Sequence, residues 1–168
     1  MARGNGIIVN ANPKGVFDEC IVSGTPSPGV VMELKTGVAL SNGRWTYEPA
    51  GTTANVGVTQ GMAADGNRLP IAVLLPDTLQ GAIATTAYTT GRRGFLYFPL
   101  AGEDLNMLIE NQSGTADDFS IGDKLIVDDG TGKLLISAST PEAEPFICLE
   151  TITDPTADTL AWTKYTGY

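Results

Sequence analysis

Apolar positions along this chain recur with the short period of strands, in brief runs cut by turns, and almost nowhere with a helical period. Val16-Phe17 with Ile21-Val22, Val30-Val31-Met32-Glu33-Leu34 and Ile71-Ala72-Val73-Leu74-Leu75 each read as strands. The last is continuously apolar and stopped by Pro76-Asp77, as expected of a buried strand. Between the first two lies Gly24-Thr25-Pro26-Ser27-Pro28-Gly29, whose prolines forbid regular pairing. Ser41-Asn42-Gly43 predicts a tight hairpin turn between Gly37-Val38-Ala39-Leu40 and Arg44-Trp45-Thr46-Tyr47-Glu48. Gly91-Arg92-Arg93-Gly94 reads as a basic turn before the strand Phe95-Leu96-Tyr97-Phe98-Pro99. Asp129-Gly130-Thr131-Gly132 marks a second hairpin, between Asp123–Asp128 and Lys133–Ser137. Pro145–Ile152 and the alternating Leu160–Tyr165 supply the last strands.

Three stretches resist this reading. Residues 49–68 are rich in Gly, Ala and Thr without a period and read as a long loop or irregular strands. Residues 79–90 pass for a helix by composition, but their threonines favour strand or loop. Gly102–Asn111 suits a short helix and a strand equally. Residues 1–15 hold Gly4, Gly6, Pro13 and Gly15 with only Ile7-Ile8-Val9 apolar, so they read as an extended arm that borrows another chain's sheet edge, the alternative being a frayed terminus. The expectation is an all-β fold: an arm over 1–15 and one antiparallel β-barrel or sandwich over 16–168, with long loops and at most one short helix.

Charge changes the picture by its placement. The net charge is −9, but residues 1–100 carry 7 basic and 6 acidic groups, and residues 101–168 carry 3 basic and 13 acidic. The acidic third is expected to face solvent, and the overall sign argues against a nucleic-acid surface. No apolar run has the length of a membrane span, and the N-terminus lacks the apolar core of a signal peptide, so neither a membrane nor export by that route is expected.

The chain has no histidine, which excludes imidazole bases, histidine-assisted nucleophiles and imidazole metal ligands. Cys20 and Cys148 sit in apolar settings and read as free, buried thiols. Asp128-Asp129-Gly130-Thr131-Gly132 resembles a calcium loop only in part, since Leu134-Leu135-Ile136 follows where a terminal carboxylate is needed. Glu103-Asp104 and Asp117-Asp118 are adjacent carboxylates; on a strand such neighbours point apart and are read as solvated. No catalytic residue, cofactor site or metal site is assigned.

The candidate residues are those of contact. Arg3, Ile7, Ile8 and Val9 lie in the arm; Arg92 and Arg93 form a basic tip able to grip a partner's carboxylates; Tyr165 and Tyr168 end the last strand. Trp162 is expected in the core.

From Gly24 onward the chain resembles a family. Gly24–Met32, Leu69–Leu75 with Leu79-Gln80-Gly81, Gly102–Leu108, Gly122–Leu134, Pro145-Phe146 and Tyr165-Thr166-Gly167-Tyr168 follow in order as in the decoration, or cement, proteins of tailed double-stranded DNA phage capsids. The resemblance implies a β-tulip, jelly-roll or Ig-like fold and a non-enzymatic role on the outer face of a shell, cementing neighbouring capsomers of the major capsid protein. It implies a homo-oligomer, a trimer before a dimer, assembled in the host cytoplasm, and it brings no functional residues with it. A reducing compartment agrees with two unpaired thiols. The rival expectations are a carbohydrate- or receptor-binding β-module of a phage fibre, which calls for an exposed aromatic platform, and a hydrolase working through two converging carboxylates.

Overall fold

The structure is a computed structural model and describes residues 6–9, 13–35, 37–50, 71–80, 86–110, 118–128, 130–137, 145–155 and 159–167. Among them there is no α-helix, and the loop or irregular strands expected at 49–68 fall almost wholly outside them. The fold is all-β and single-domain, and the described residues form ten strands in two sheets.

Five strands close into a barrel in the order β1-β3-β2-β4-β5: β1 (Val16–Val22), β2 (Val31–Leu34), β3 (Thr46–Pro49), β4 (Ala72–Leu75) and β5 (Arg93–Phe98). The remaining five form a sheet ordered β6-β10-β9-β7-β8: β6 (Asp104–Leu108), β7 (Lys124–Val127), β8 (Leu134–Ile136), β9 (Phe146–Cys148) and β10 (Leu160–Tyr165). Alternation along the strands divides the apolar side chains between two cores. Cys20, Val22, Met32, Ala72, Leu74 and Leu96 fill the barrel. Val31, Val73 and Tyr97, from the alternate positions, pack outward against Leu105, Met107, Leu125, Phe146 and Ala161 of the sheet. The unbroken run Ile71–Leu75 follows from this, because β4 is buried on both faces.

Main-chain bonds join the two sheets as well. Val31 N–H donates to Gly132 O at 2.7 Å, Gly130 N–H to Ala50 O at 2.9 Å and Leu108 N–H to Gly29 O at 2.9 Å. The turn of the β7–β8 hairpin is therefore clamped onto the barrel.

Several expectations are corrected. The barrel is not wholly antiparallel, since β1 runs parallel to β3 with Ile21 opposite Thr46. Gly102–Asn111, which suited helix and strand equally, is decided as a strand, β6, because both its faces are buried and its main chain pairs with β10. The Asn-Gly turn forms where expected, but residues 37–40 are not a strand; β3 pairs with β2, Leu34 opposite Tyr47. Arg93 begins β5 instead of lying in the preceding turn. A single 3-10 turn at Thr78–Gln80 is all that the described part of 79–90 retains of helix.

The arm is the largest revision. Ile7 is buried at 2% exposure in the core shared by barrel and sheet. Ile8 bridges Leu105 antiparallel, Val9 N–H donates to Asp104 O at 3.2 Å, and Asn106 N–H donates to Ile7 O at 2.7 Å. Ile7-Ile8-Val9 does add to a sheet edge, but the edge is β6 of its own chain.

Candidate docking surface

At one end of the molecule two separate pieces of chain meet on one carboxylate, with the end of a third beside them. β1 starts opposite the end of β5, with Val16 across from Phe98. The chain leaves β5 through Pro99–Gly102, where Glu103 N–H donates to Leu100 O at 3.1 Å. The end of β10 lies beside it: Gly102 N–H donates to Tyr165 O at 2.7 Å and Tyr165 N–H to Glu103 O at 2.8 Å. Glu103, expected to be solvated, is buried at 4% exposure. Its carboxylate accepts from Lys14 N–H at 2.6 Å, Tyr97 O–H at 2.7 Å and Leu100 N–H at 2.8 Å. Tyr97 Oη in turn accepts from Gly15 N–H at 2.9 Å.

The electrostatics follow from that geometry. Burial pushes the Glu103 carboxyl up, but the donors on it, Lys14 N–H and Tyr97 O–H foremost, outweigh burial and hold it below its ordinary value. Burial, reinforced by the Glu103 carboxylate, pushes the Tyr97 hydroxyl up to about 12. Both groups are thus locked in one protonation state near neutrality. They form a brace, with no acid or base poised near pH 7 for proton transfer.

Around the brace, apolar side chains point outward. Val16 is 65% exposed, Phe17 56% and Leu100 52%. Phe17 leans on the Tyr97 ring, centroids 4.9 Å apart, so its position is fixed although half of it is bare. Asp104 is on the opposite side of β6 from Glu103, as strand alternation requires, and pairs with Lys164 at 2.7 Å.

The residues singled out from sequence fall in different places. Ile7, Ile8 and Val9 lie along β6, close in register to Asp104, and Tyr165 follows Lys164 at the same end. Tyr165 is itself buried at 7% exposure, its ring 5.4 Å from Phe146, so it is a core residue and does not present its side chain outward. Trp162 is only half-buried. Arg92 and Arg93 are at the other end of the β1–β5 ladder, where Arg93 lies opposite Ile21. Arg92 is exposed, while Arg93 is ion-paired with Glu19 of its own chain and lies over the Phe95 ring at 5.0 Å. Arg44 from the Asn-Gly turn reaches the same carboxylate, Nε to Oε2 2.7 Å. The Arg44 hydrogen bond, with Arg93 beside it, lowers the pKa of Glu19. Arg3 and Tyr168 lie outside the described residues.

Sequence reasoning missed Val16, Phe17 and Leu100 as surface residues. The signal was present in Val16-Phe17-Asp18, where apolar neighbours on a strand point to opposite faces and one of the pair needs separate cover.

Elsewhere the described residues hold little chemistry. Cys20 and Cys148 are free and buried, and burial in the barrel pushes the Cys20 thiol up to about 12, which makes it unreactive. In the β7–β8 turn Thr131 Oγ1 lies 2.7 Å from Asp128 Oδ2 and 2.9 Å from Glu110 Oε2. No group of three or more acidic or thiol side chains with metal-ligating geometry occurs among the described residues. A cleft of about 460 Å³ between the barrel and that turn is lined by Ser23, Ser27, Lys35, Glu48 and Lys133, among others. There the Lys35 ammonium is held by Glu48 at 2.8 Å and Ser23 at 2.9 Å.

Neither a scan against protein-family models nor a search of curated proteins matches this chain.

Proposed function

We propose that this chain is a non-enzymatic structural protein of a virion, a decoration protein that binds the outer surface of a tailed-phage capsid and cements capsomers of the major capsid protein. The observation that carries the reading is the braced end of the molecule. A buried carboxylate ties the chain at residues 14–15 to that at 97–103 while Val16, Phe17 and Leu100 project from them uncovered. Preorganised apolar projections on a rigid scaffold suit docking, because little side-chain order remains to be lost on binding. The order of strand and turn segments shared with decoration proteins points the same way, and so does a sequence without histidine. On a shell, many weak contacts repeated over symmetric sites sum by avidity, so no single deep pocket is required. The protein is read as a homo-oligomer, a trimer before a dimer.

The test is occupancy on purified particles. Full-length protein should sediment with capsids in a fixed ratio to the major capsid protein, and Phe17→Asp with Leu100→Asp should lower that occupancy at least tenfold. Raising the ionic strength should weaken attachment wherever exposed ion pairs contribute, since screening at 0.1 M acts over about 10 Å. Full occupancy of the double variant, or no association of the wild-type protein with any capsid, would overturn the reading.

A further inference from the structure

The start of β1 runs past the strand that closes the barrel. Val22 N–H donates to Arg92 O at 2.9 Å, so the β1–β5 ladder bonds fall on the even-numbered residues of β1. Antiparallel geometry then turns the main-chain groups of Phe17, Glu19 and Ile21 the other way. β3 meets that side from Ile21 onward: Ile21 N–H donates to Trp45 O at 2.9 Å and Ser23 N–H to Tyr47 O at 2.8 Å. Before Thr46 the chain comes in from the Asn42-Gly43 turn instead of following β1. A hollow of about 320 Å³ opens where they part, lined by Asp18, Glu19, Asn42, Gly43, Arg44 and Trp45. Glu19 N–H is taken by the Asp18 carboxylate at 2.7 Å. Among the described residues nothing bonds Phe17 N–H, Phe17 O or Glu19 O.

This bare edge is also apolar and already rigid. Val16 and Phe17 lie on it, both more than half exposed, and Phe17 is fixed against the Tyr97 ring. Lys14 and Gly15, just ahead, are held by the Glu103 brace. Asp18 is exposed and forms no ion pair among the described residues. Donors and acceptors at strand spacing are matched by another extended main chain. Such a segment would gain ladder bonds, cover Phe17 on one face and set a side chain beside Asp18 on the other.

We propose that the edge of β1 at residues 17–19 takes an extended, proline-free segment of the protein on which this end docks, as an added strand. An apolar side chain of that segment lies beside Phe17 and a basic one beside Asp18. The proposal rests on the reading of this end as a docking surface and states how it docks. A second copy of β1 is a poor occupant. Laid antiparallel about Asp18 or about Glu19, it sets like charges opposite each other. Laid about Phe17, its outer bonds need Gly15 N–H, which is on Tyr97 Oη, and Glu19 N–H, which is on Asp18.

The experiment is amide hydrogen exchange of the full-length protein alone, with a peptide, and on purified undecorated capsids. The peptide is acetyl-Thr-Val-Lys-Val-Thr-amide; its control is the same peptide N-methylated at every internal amide. The Phe17 amide should exchange freely in the protein alone and slow about tenfold or more with the peptide and on capsids, but not with the methylated control. Two variants isolate the main chain. Phe17→Ala keeps the outward N–H, and Phe17→Pro removes it while the even-numbered ladder bonds remain. The Pro variant should bind capsids about tenfold more weakly than the Ala variant, the worth of one hydrogen bond. Exchange on the wild type needs neither variant to fold. A Phe17 amide that exchanges freely in capsid-bound protein, or equal binding of the two variants, overturns the added strand and leaves the decoration reading standing. Capsids that take up no wild-type protein overturn the decoration reading instead. The peptide then decides the edge, which stands if Phe17 is protected and falls if it is not.

Discussion

The barrel closes with its own strands, β1 pairing with β3 on one side and β5 on the other. The five-stranded sheet ends on β6 and β8 and is finished by pieces from elsewhere. β6 receives Ile7–Val9 and Gly29; Ile109, just past β6, bridges Leu134 of β8 in parallel. Open strand edges recruit other chains, so both regions remove most of theirs, but by different means. The barrel spreads its closure over whole ladders. The sheet rests its closure on a few residues distant in sequence, and single changes there should cost more than their size suggests.

The junction between the two regions is the sharpest place to test this. Gly132 has φ +68°, and a Cβ built there would lie 2.2 Å from Val31 O, the barrel backbone to which the β7–β8 turn is clamped. Left-handed strain and displacement of backbone together should make Gly132→Ala cost about 4 kcal/mol. Urea denaturation is expected to show the full loss, with the β7–β8 hairpin first to lose hydrogen-exchange protection. Near-wild-type stability would mean that the clamp is not part of what holds sheet to barrel.

The edge piece comes next. Ile7→Ala removes a fully buried side chain from the core both regions share, and the expected loss is about 3 kcal/mol. Deletion of residues 1–9 should lose at least as much, because β6 is bared as well. A free arm would predict unchanged stability for both, so chemical denaturation decides between an arm and an edge strand.

Local signals in the sequence were easy to read and long-range ones were not. Asn42-Gly43 and Gly130-Thr131-Gly132 announced their turns because the φ > 0 requirement is met within a few residues. The burial of β4 was legible in Ile71–Leu75 for the same reason. The parallel pairing of β1 with β3 left no local trace, since 24 residues of other structure separate Val22 from Tyr47 and no composition marks the partner. Ile7-Ile8-Val9 was recognisable as an edge-seeking strand, but which chain owned the edge depends on where β6 ends up. The candidate arginines were visible by charge, but they lie at the opposite end of the β1–β5 ladder from the docking surface, where Arg93 pairs with Glu19 of its own chain. The outward Val16, Phe17 and Leu100 were not visible, because exposure is set by what fails to cover them.

The brace gives a pH-dependent way to sharpen the contrast. Glu103 is held below its ordinary value of 4.5 by the donors on its carboxylate, so its ionised form is favoured in the fold. Its contribution is complete above the unfolded value and is lost as pH falls through the folded one. Glu103→Gln replaces an acceptor of three hydrogen bonds with an amide that turns donors toward donors, and it should cost about 2 kcal/mol at pH 7. The wild type should weaken as pH falls below the ordinary carboxyl value of 4.5, and the Gln variant should weaken less over the same fall, as read from urea midpoints at each pH. Parallel pH profiles would show that Glu103 does not brace this end.

The smallest effect is expected at Gly43, and it isolates what makes the junction expensive. Gly43 has φ +75°, almost the value of Gly132, but nothing lies within 4 Å of a Cβ built on it. It follows Asn42, φ +51°, in a turn whose ends exchange main-chain bonds, Ser41 N–H to Arg44 O and Arg44 N–H to Ser41 O, both 3.0 Å. Ala at this position therefore pays only for the left-handed backbone, about 1 kcal/mol. The difference between the two Gly→Ala variants, about 3 kcal/mol, then measures the backbone contact between hairpin and barrel with the conformational strain cancelled. Equal losses at the two sites would mean that φ alone accounts for both, and that the turn at 130–132 approaches the barrel without depending on it.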